Sequence, residues 1–293
     1  MKNVFAALAL AAALAVPHMA MAEAAATAAV APAEVAPNTG ALSLSGGVDF
    51  VTAYIFRGYV IEKDGFIAQP YATLSLKAYE EDGIAITPFV GIWNSLQSQT
   101  DANASHGPSD SDWFETDVYG GVDLTLGNFT LTPFYTFYTY PGDAYQTTEE
   151  LNIKLAYDDA AMMTDMGSPV TFSPYVLYAI ETKDDNGTED QYFELGITPA
   201  YSVPDTKLTL SVPMSVGLSV KDYYLDSSGN NDVFGYASAG LAASYALPVP
   251  ARFGSWALNG GVYYYYLASD SVKVSNDGDD SIVMAKVGLS FTY

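Results

Sequence analysis

KLTLSVPMSVGLSV, residues 207–220, alternates with a period of two along its whole length. Leu208, Leu210, Val212, Met214, Val216, Leu218 and Val220 share one face, and Lys207, Thr209, Ser211, Ser215, Gly217 and Ser219 share the other. One face is wholly apolar, and the reverse is small and polar. Soluble strands average about 5–6 residues, whereas a tilted strand crossing a bilayer needs about 9–11. This stretch has the membrane length.

Eleven further runs carry the same alternation, near 42–56, 66–78, 84–95, 113–126, 129–140, 149–157, 170–181, 191–201, 235–247, 255–267 and 281–293. Their connections alternate in length. YEEDG (79–83), LGN (126–128) and VPDT (203–206) are short, while 96–112, 221–234 and 269–280 are long. Short turns at one end and long loops at the other describe an outer-membrane barrel. Two turns, 158–169 and 248–254, exceed that rule. The expectation is an all-β fold: a transmembrane antiparallel β-barrel of about twelve strands over residues 42–293. A secreted β-sandwich also alternates, but it is opposed by strand length and by Tyr54, Phe56, Tyr201, Tyr264 and Tyr266 near the ends of apolar faces.

Composition agrees. The 293 residues include 23 Tyr, 14 Phe and 24 Gly beside 11 Lys plus Arg, with no Cys. Disulfides and thiolate metal sites are excluded. Residues 1–22 read as a signal peptide: Lys2 gives a positive start, Val4–Val16 is apolar, and Ala20-Met21-Ala22 fits a cleavage site. Residues 23–41, rich in Ala and Pro, read as a flexible tail. The expected address is the outer membrane, with an even strand count placing both barrel termini in the periplasm. A net charge of −23 argues against nucleic acid.

Prolines are the anomaly in this pattern, because proline lacks the N–H that a ladder requires. Pro88, Pro133, Pro174 and Pro199 all fall on the apolar face near the turn end. There they predict a belt of bulges, where an unmatched carbonyl reaches water. Pro70 and Pro213 fall outside that belt.

The last run, VMAKVGLSFTY, ends on Tyr293 and resembles the closing strand that outer-membrane assembly machinery reads. VTAYIFRGY (51–59), FVGIWNS (89–95), ETDVYGGVDLTLGNFTLTPFYTFYTYPG (115–142) and TEELNIKLAY (148–157) together resemble the TorF-type porin family of Gram-negative outer membranes. The resemblance implies a small channel. It supplies no substrate and no catalytic residue.

Twelve strands about 4.8 Å apart and tilted about 40° enclose a backbone radius near 12 Å, with a bore of roughly 10 Å before inward loops or ion pairs narrow it. Parity puts Asp49, Arg57, Lys77, Glu115, Asp117, Asp123, Glu150, Lys154, Glu181, Glu194, Lys207 and Lys286 in the lumen. Such charges either select ions through their field or pair across the interior and brace it shut. Arg57, Trp93 and Tyr138 form the expected solute-contacting cluster near the outer mouth. Seventeen of the 34 acids lie in the six outer loops, with only Lys63, Lys183, Lys221 and Lys273 among them, which favours cations. DDNGTED (184–190) and NDGDD (276–280) match no complete calcium loop and read as solvated turns.

After leader cleavage His106 is the sole histidine, and no triad is patterned around it. No enzyme activity, cofactor or metal is expected. The expected partners are outer-membrane lipid, the assembly machinery during insertion, and ions or small polar solutes. The expected role is passive diffusion through a narrow, mildly cation-preferring barrel; the alternative is a closed barrel with a structural or surface-binding role.

Overall fold

The computed structural model describes residues 38, 40–98, 112–142, 145–183 and 189–293. The expected leader, nearly all of the tail, His106 and residues 184–188 of DDNGTED lie outside them. Twelve strands form the wall: β1 (Leu42–Val51), β2 (Ile67–Leu76), β3 (Ile84–Gln97), β4 (Trp113–Leu126), β5 (Phe129–Thr139) and β6 (Thr148–Tyr157). Three interrupted strands follow: β7 (Val170–Thr171 and Tyr175–Lys183), β8 (Gln191–Ile197 and Ala200–Ser202) and β9 (Leu208–Ser211 and Met214–Lys221). Then come β10 (Phe234–Ala246), β11 (Ser255–Leu267) and β12 (Ser281–Thr292). Neighbours pair antiparallel, and β12 returns to β1 from Ser45↔Thr292 to Val51↔Lys286. The ring is closed, and the fold is a twelve-stranded antiparallel barrel.

The two faces separate as the alternation requires. On β3, Ile84, Ile86, Val90 and Ile92 are exposed, while Thr87, Phe89, Trp93, Ser95 and Gln97 are buried. Leu241, Leu258, Val262, Val283 and Val287 on β10–β12 are exposed as well. Exposed aliphatics around a buried polar interior invert the order of a soluble core; lipid is the solvent that stabilises such an exterior. No helix among the described residues is long and apolar enough to cross a membrane.

Tight turns follow from local chemistry. Glu81 pairs with Ile84 across Asp82 and Gly83, whose φ values of 51° and 77° make the mirror-type turn that matches strand twist.

Every proline inside a wall strand sits at an interruption. β7, β8 and β9 break at Pro174, Pro199 and Pro213. The β4–β5 ladder skips from Gly121↔Phe134 to Leu124↔Leu131 beside Pro133, and pairing of β3 lapses between Ser75↔Phe89 and Tyr79↔Ile86 beside Pro88. Pro70 and Pro213, unaccounted for by the belt, obey the same rule: the β2–β3 ladder skips from Ala68↔Leu96 to Tyr71↔Trp93, and the Pro213 carbonyl still accepts from Gly240 N–H. Ladder breaks and prolines coincide because the missing donor is tolerated where no partner waits for it.

One boundary differs from the reading above. The first wall strand ends at Val51 rather than running to 56, and the chain turns into the barrel as a small hairpin, Tyr54–Phe56 paired with Tyr59–Glu62. Tyr54 and Phe56 therefore pack inside rather than in an aromatic girdle, whereas Tyr264 and Tyr266 are exposed on the outer face.

Candidate functional site

The hairpin turns on two residues, Arg57 and Gly58, between the paired Phe56 and Tyr59. Both have positive φ, 49° and 85°. Glycine fits this geometry; a side chain there costs about 1–2 kcal/mol. The strained position thus carries the longest cation in the chain's repertoire at the tip of an inward probe.

Arg57 crosses the lumen to the wall at β6. Its Nη1 donates to Glu150 Oε2 at 2.6 Å and its Nη2 to Glu150 Oε1 at 2.8 Å, a bidentate fork with both side chains 2% exposed. Tyr138 donates to the same carboxylate at 3.0 Å. The guanidinium lies 4.2 Å from the Tyr192 ring centre, 4.9 Å from Phe56 and 5.3 Å from Tyr223. Aromatic faces and one carboxylate replace the water that the cation has lost.

A second buried acid, Glu194 on β8, accepts from Tyr175, Tyr192 and Tyr236. Three phenols engage both oxygens of this carboxylate, and Arg57 and Lys154 stand within electrostatic reach of it. Tyr236 also lies across Gly217 of β9, where a Cβ would come within 2.2 Å of the ring, so the small residue makes room for the large one. Above them, Tyr223 and Tyr224 descend from the loop after β9. Tyr224 donates to the Arg57 carbonyl at 2.8 Å. The hairpin is fixed from the far side too: Tyr59 bonds Ser271 at 3.0 Å, Val60 N–H donates to Ser275 Oγ, and Lys63 pairs with Asp277 at 2.7 Å. Ser271 belongs to a short helix, α1 of the loop end (Asp270–Val274).

On β4, Glu115 accepts from Tyr54 at 2.8 Å, and Asp117 beside it is 1% exposed. Asp49 and Lys286 pair at 3.2 Å across the closing seam. Lys154 stands over the Tyr175 ring at 4.7 Å. Asp123 accepts from Thr132 at 2.6 Å.

The expected lumen residues thus divide. Asp49, Arg57, Glu115, Asp117, Glu150 and Glu194 are buried inside the barrel, and Lys154 and Glu181 are half-buried there. Lys77 lies at the turn end, paired with Glu80 at 2.8 Å, and Lys207 is exposed. Arg57, Trp93 and Tyr138 do converge on the hairpin: Tyr138 shares Glu150 with Arg57, and Trp93 packs 5.3 Å from Tyr54. They do not stand at an open mouth. Arg57, Trp93 and Tyr138 are 2%, 3% and 5% exposed, because the hairpin and the loops above it fill the outer half of the bore.

Residues that sequence reading passed over are the tyrosines Tyr175, Tyr192, Tyr223, Tyr224 and Tyr236, and Asn152. For Tyr192 a signal existed: it precedes Glu194 by two and so shares its inward face. For Tyr223 and Tyr224, in a loop, parity offers nothing. In NDGDD, Asn276 is buried and bonded to the carbonyls of Asp279 and Ser281. Among the described residues no group of three His, Cys, Asp or Glu is placed to hold a metal ion.

A family model described as a bacterial protein of unknown function (Gcw_chp) matches residues 35–219. No curated protein matches the chain. The COG4313 outer membrane channel from Pseudomonas putida F1 superposes with a TM-score of 0.54 at 10% identity, covering 90% of this chain and all of that one (100%). Outer membrane phospholipase A from Escherichia coli (TM-score 0.43, 11% identity, 84% of this chain and 92% of that one) and the NanC porin (0.39, 14%, 86% and 99%) superpose more loosely. The first shares the barrel fold; from the other two nothing is drawn. Neither the family model nor the COG4313 neighbour carries the TorF-type porin name; what they show is the Gcw_chp family and the fold of an outer-membrane barrel.

Proposed function

The chain belongs to the Gcw_chp family, bacterial proteins of unknown function, and from that premise we propose that it is a porin-like channel of the outer membrane, held nearly shut at rest by its inward hairpin. Leader cleavage follows Ala22, both barrel termini lie in the periplasm, and the long loops face outward. Small ions pass by diffusion, cations before anions, through the little space that the hairpin leaves. The COG4313 neighbour, itself an outer membrane channel, supports the reading through its shared fold.

The observation that carries the proposal is the Arg57–Glu150 pair, spanning hairpin and wall with both side chains 2% exposed. A bore of roughly 10 Å would leave such a pair wet. The acidic excess of the chain supports cation preference.

The second reading, a closed barrel with a structural or surface-binding role, is favoured by Glu194 with its three tyrosine donors, a cluster with nothing left to offer a solute. Planar-bilayer recording of purified protein and of Arg57→Ala separates the two. The channel reading expects small, infrequent steps with K⁺ favoured over Cl⁻, enlarged in the variant. Silence of both proteins over many insertions rejects it in favour of the closed barrel.

A further inference from the structure

The plug is sealed unevenly. Among the buried polar atoms without a hydrogen-bond partner, Ser211 Oγ lies apart on β9, while four lie together: Arg57 Nε, Asp117 Oδ1, Thr136 Oγ1 and Asn152 Nδ2. Their residues are 2%, 1%, 0% and 1% exposed. They are neighbours on one patch. Asp117 of β4 faces Tyr138 of β5, Thr136 of β5 faces Glu150 of β6, and Asn152 follows Glu150 by two on the same inner face. Arg57 meets this patch from the hairpin, its Nη2 lying 3.5 Å from Asn152 Oδ1.

The tyrosine side of the plug differs. Glu194 is saturated by three phenols, and Ser219 of β9 accepts from Tyr223 N–H at 3.0 Å while bonding Asn231. Around the hairpin, then, one flank is satisfied and packed, and the other holds unmet donors and acceptors together. Buried polar groups in native proteins are satisfied by protein or by water, and a polar recess with several such partners is where water resides.

We propose that the inner face of β4–β6 beside the Arg57 hairpin is a hydrated seam through which small monovalent cations pass the plug, with Asp117 as the residue that selects them. This rests on the channel reading above. The chemistry suits a passing cation rather than a held one. Asp117 Oδ1 and Thr136 Oγ1 offer oxygens, while Arg57 Nε and Asn152 Nδ2 donate to the water that such an ion carries. Among the described residues no group of three His, Cys, Asp or Glu is placed to hold a divalent ion here. Glu150 is compensated by Arg57, so the acidic character of the seam rests on Glu115 and Asp117, which share a side-chain hydrogen bond and ionise where water reaches them.

The chain has no cysteine, so one introduced thiol reports alone. Thr136→Cys and, as the packed-side control, Ser219→Cys are compared in folded, membrane-inserted protein, using the cationic reagent 2-aminoethyl methanethiosulfonate and its anionic 2-sulfonatoethyl counterpart. The seam expects Thr136→Cys to react at least tenfold faster than Ser219→Cys, with the cationic reagent ahead. In bilayers, Asp117→Asn should lower the K⁺ over Cl⁻ permeability ratio about fivefold, the factor given by ~1 kcal/mol for one charge at contact in water. A conducting wild type whose Thr136→Cys resists both reagents, or whose selectivity survives Asp117→Asn, overturns the seam alone. Rapid cationic labelling of Thr136→Cys in a protein silent in bilayers upholds the wet seam and overturns the channel reading instead.

Discussion

Removing Arg57 tests whether the hairpin is held by its pair or merely rests in the bore. Arg57→Ala leaves Glu150 buried, 1% exposed, with Tyr138 as its remaining close donor. Breaking a buried pair from one side costs about 3–5 kcal/mol, because a charge is stranded without its partner. The backbone adds a separable component. Residue 57 has φ of 49°, so Arg57→Gly should lose about 1 kcal/mol less than Arg57→Ala, having no Cβ to strain. Glu150→Gln in the Arg57→Ala background removes the stranded charge, and the double-mutant cycle should return a coupling of about 3 kcal/mol. Urea unfolding of the inserted barrel, followed by the loss of its compact gel mobility, reads these as midpoint shifts of roughly 1–2 M for Arg57→Ala. If Arg57→Ala and Glu150→Gln prove additive, with the single Arg57 variant within about 0.5 kcal/mol of wild type, the pair is not what holds the hairpin.

Two other perturbations probe the neighbouring parts of the argument. Gly58→Ala puts a Cβ at φ of 85° and 3.0 Å from the Tyr236 Cβ; it should cost about 1–2 kcal/mol and raise conductance by lifting the tip, and unchanged urea midpoint and conductance would show the tip to be loosely seated. Leu241→Arg, at an outward position 72% exposed near the middle of β10, should destabilise the inserted barrel by about 2–4 kcal/mol if that face meets lipid at mid-depth. A change under about 0.5 kcal/mol in the same assay would mean that it does not.

The wall was legible because lipid enforces a rule at every second residue. In KLTLSVPMSVGLSV nothing but alternation is needed, and the strands at 113–126 and 255–267 fall where the pattern puts them. The plug was illegible for a related reason. Tyr54 and Phe56 keep the parity of the first run, so that run reads as continuing to residue 56, although Ile55 and the adjacent Val60 and Ile61 break the alternation. What distinguishes the hairpin is its partners, and these are remote: Arg57 meets Glu150 across 93 residues and Tyr223 across 166. Parity predicted that Glu115, Asp117, Glu150 and Glu194 point inward, yet it carries no depth. It therefore could not say that Glu194 would be saturated by phenols while Asp117 kept an unmet oxygen. The prolines lie between these cases, readable as breaks one by one, with the ladder skip at Pro70 visible only once its neighbour strand was in register.

The hairpin's root lies on the seam where the two ends of the chain meet. Thr52 N–H donates to the Ala285 carbonyl, and Ala285 N–H donates to Thr52 Oγ1, so the final stave grips the hinge of the stopper as it zips against the first. The strand that seals the wall thus also fixes the root of the stopper. In a cask closed this way, bung and last stave hold each other.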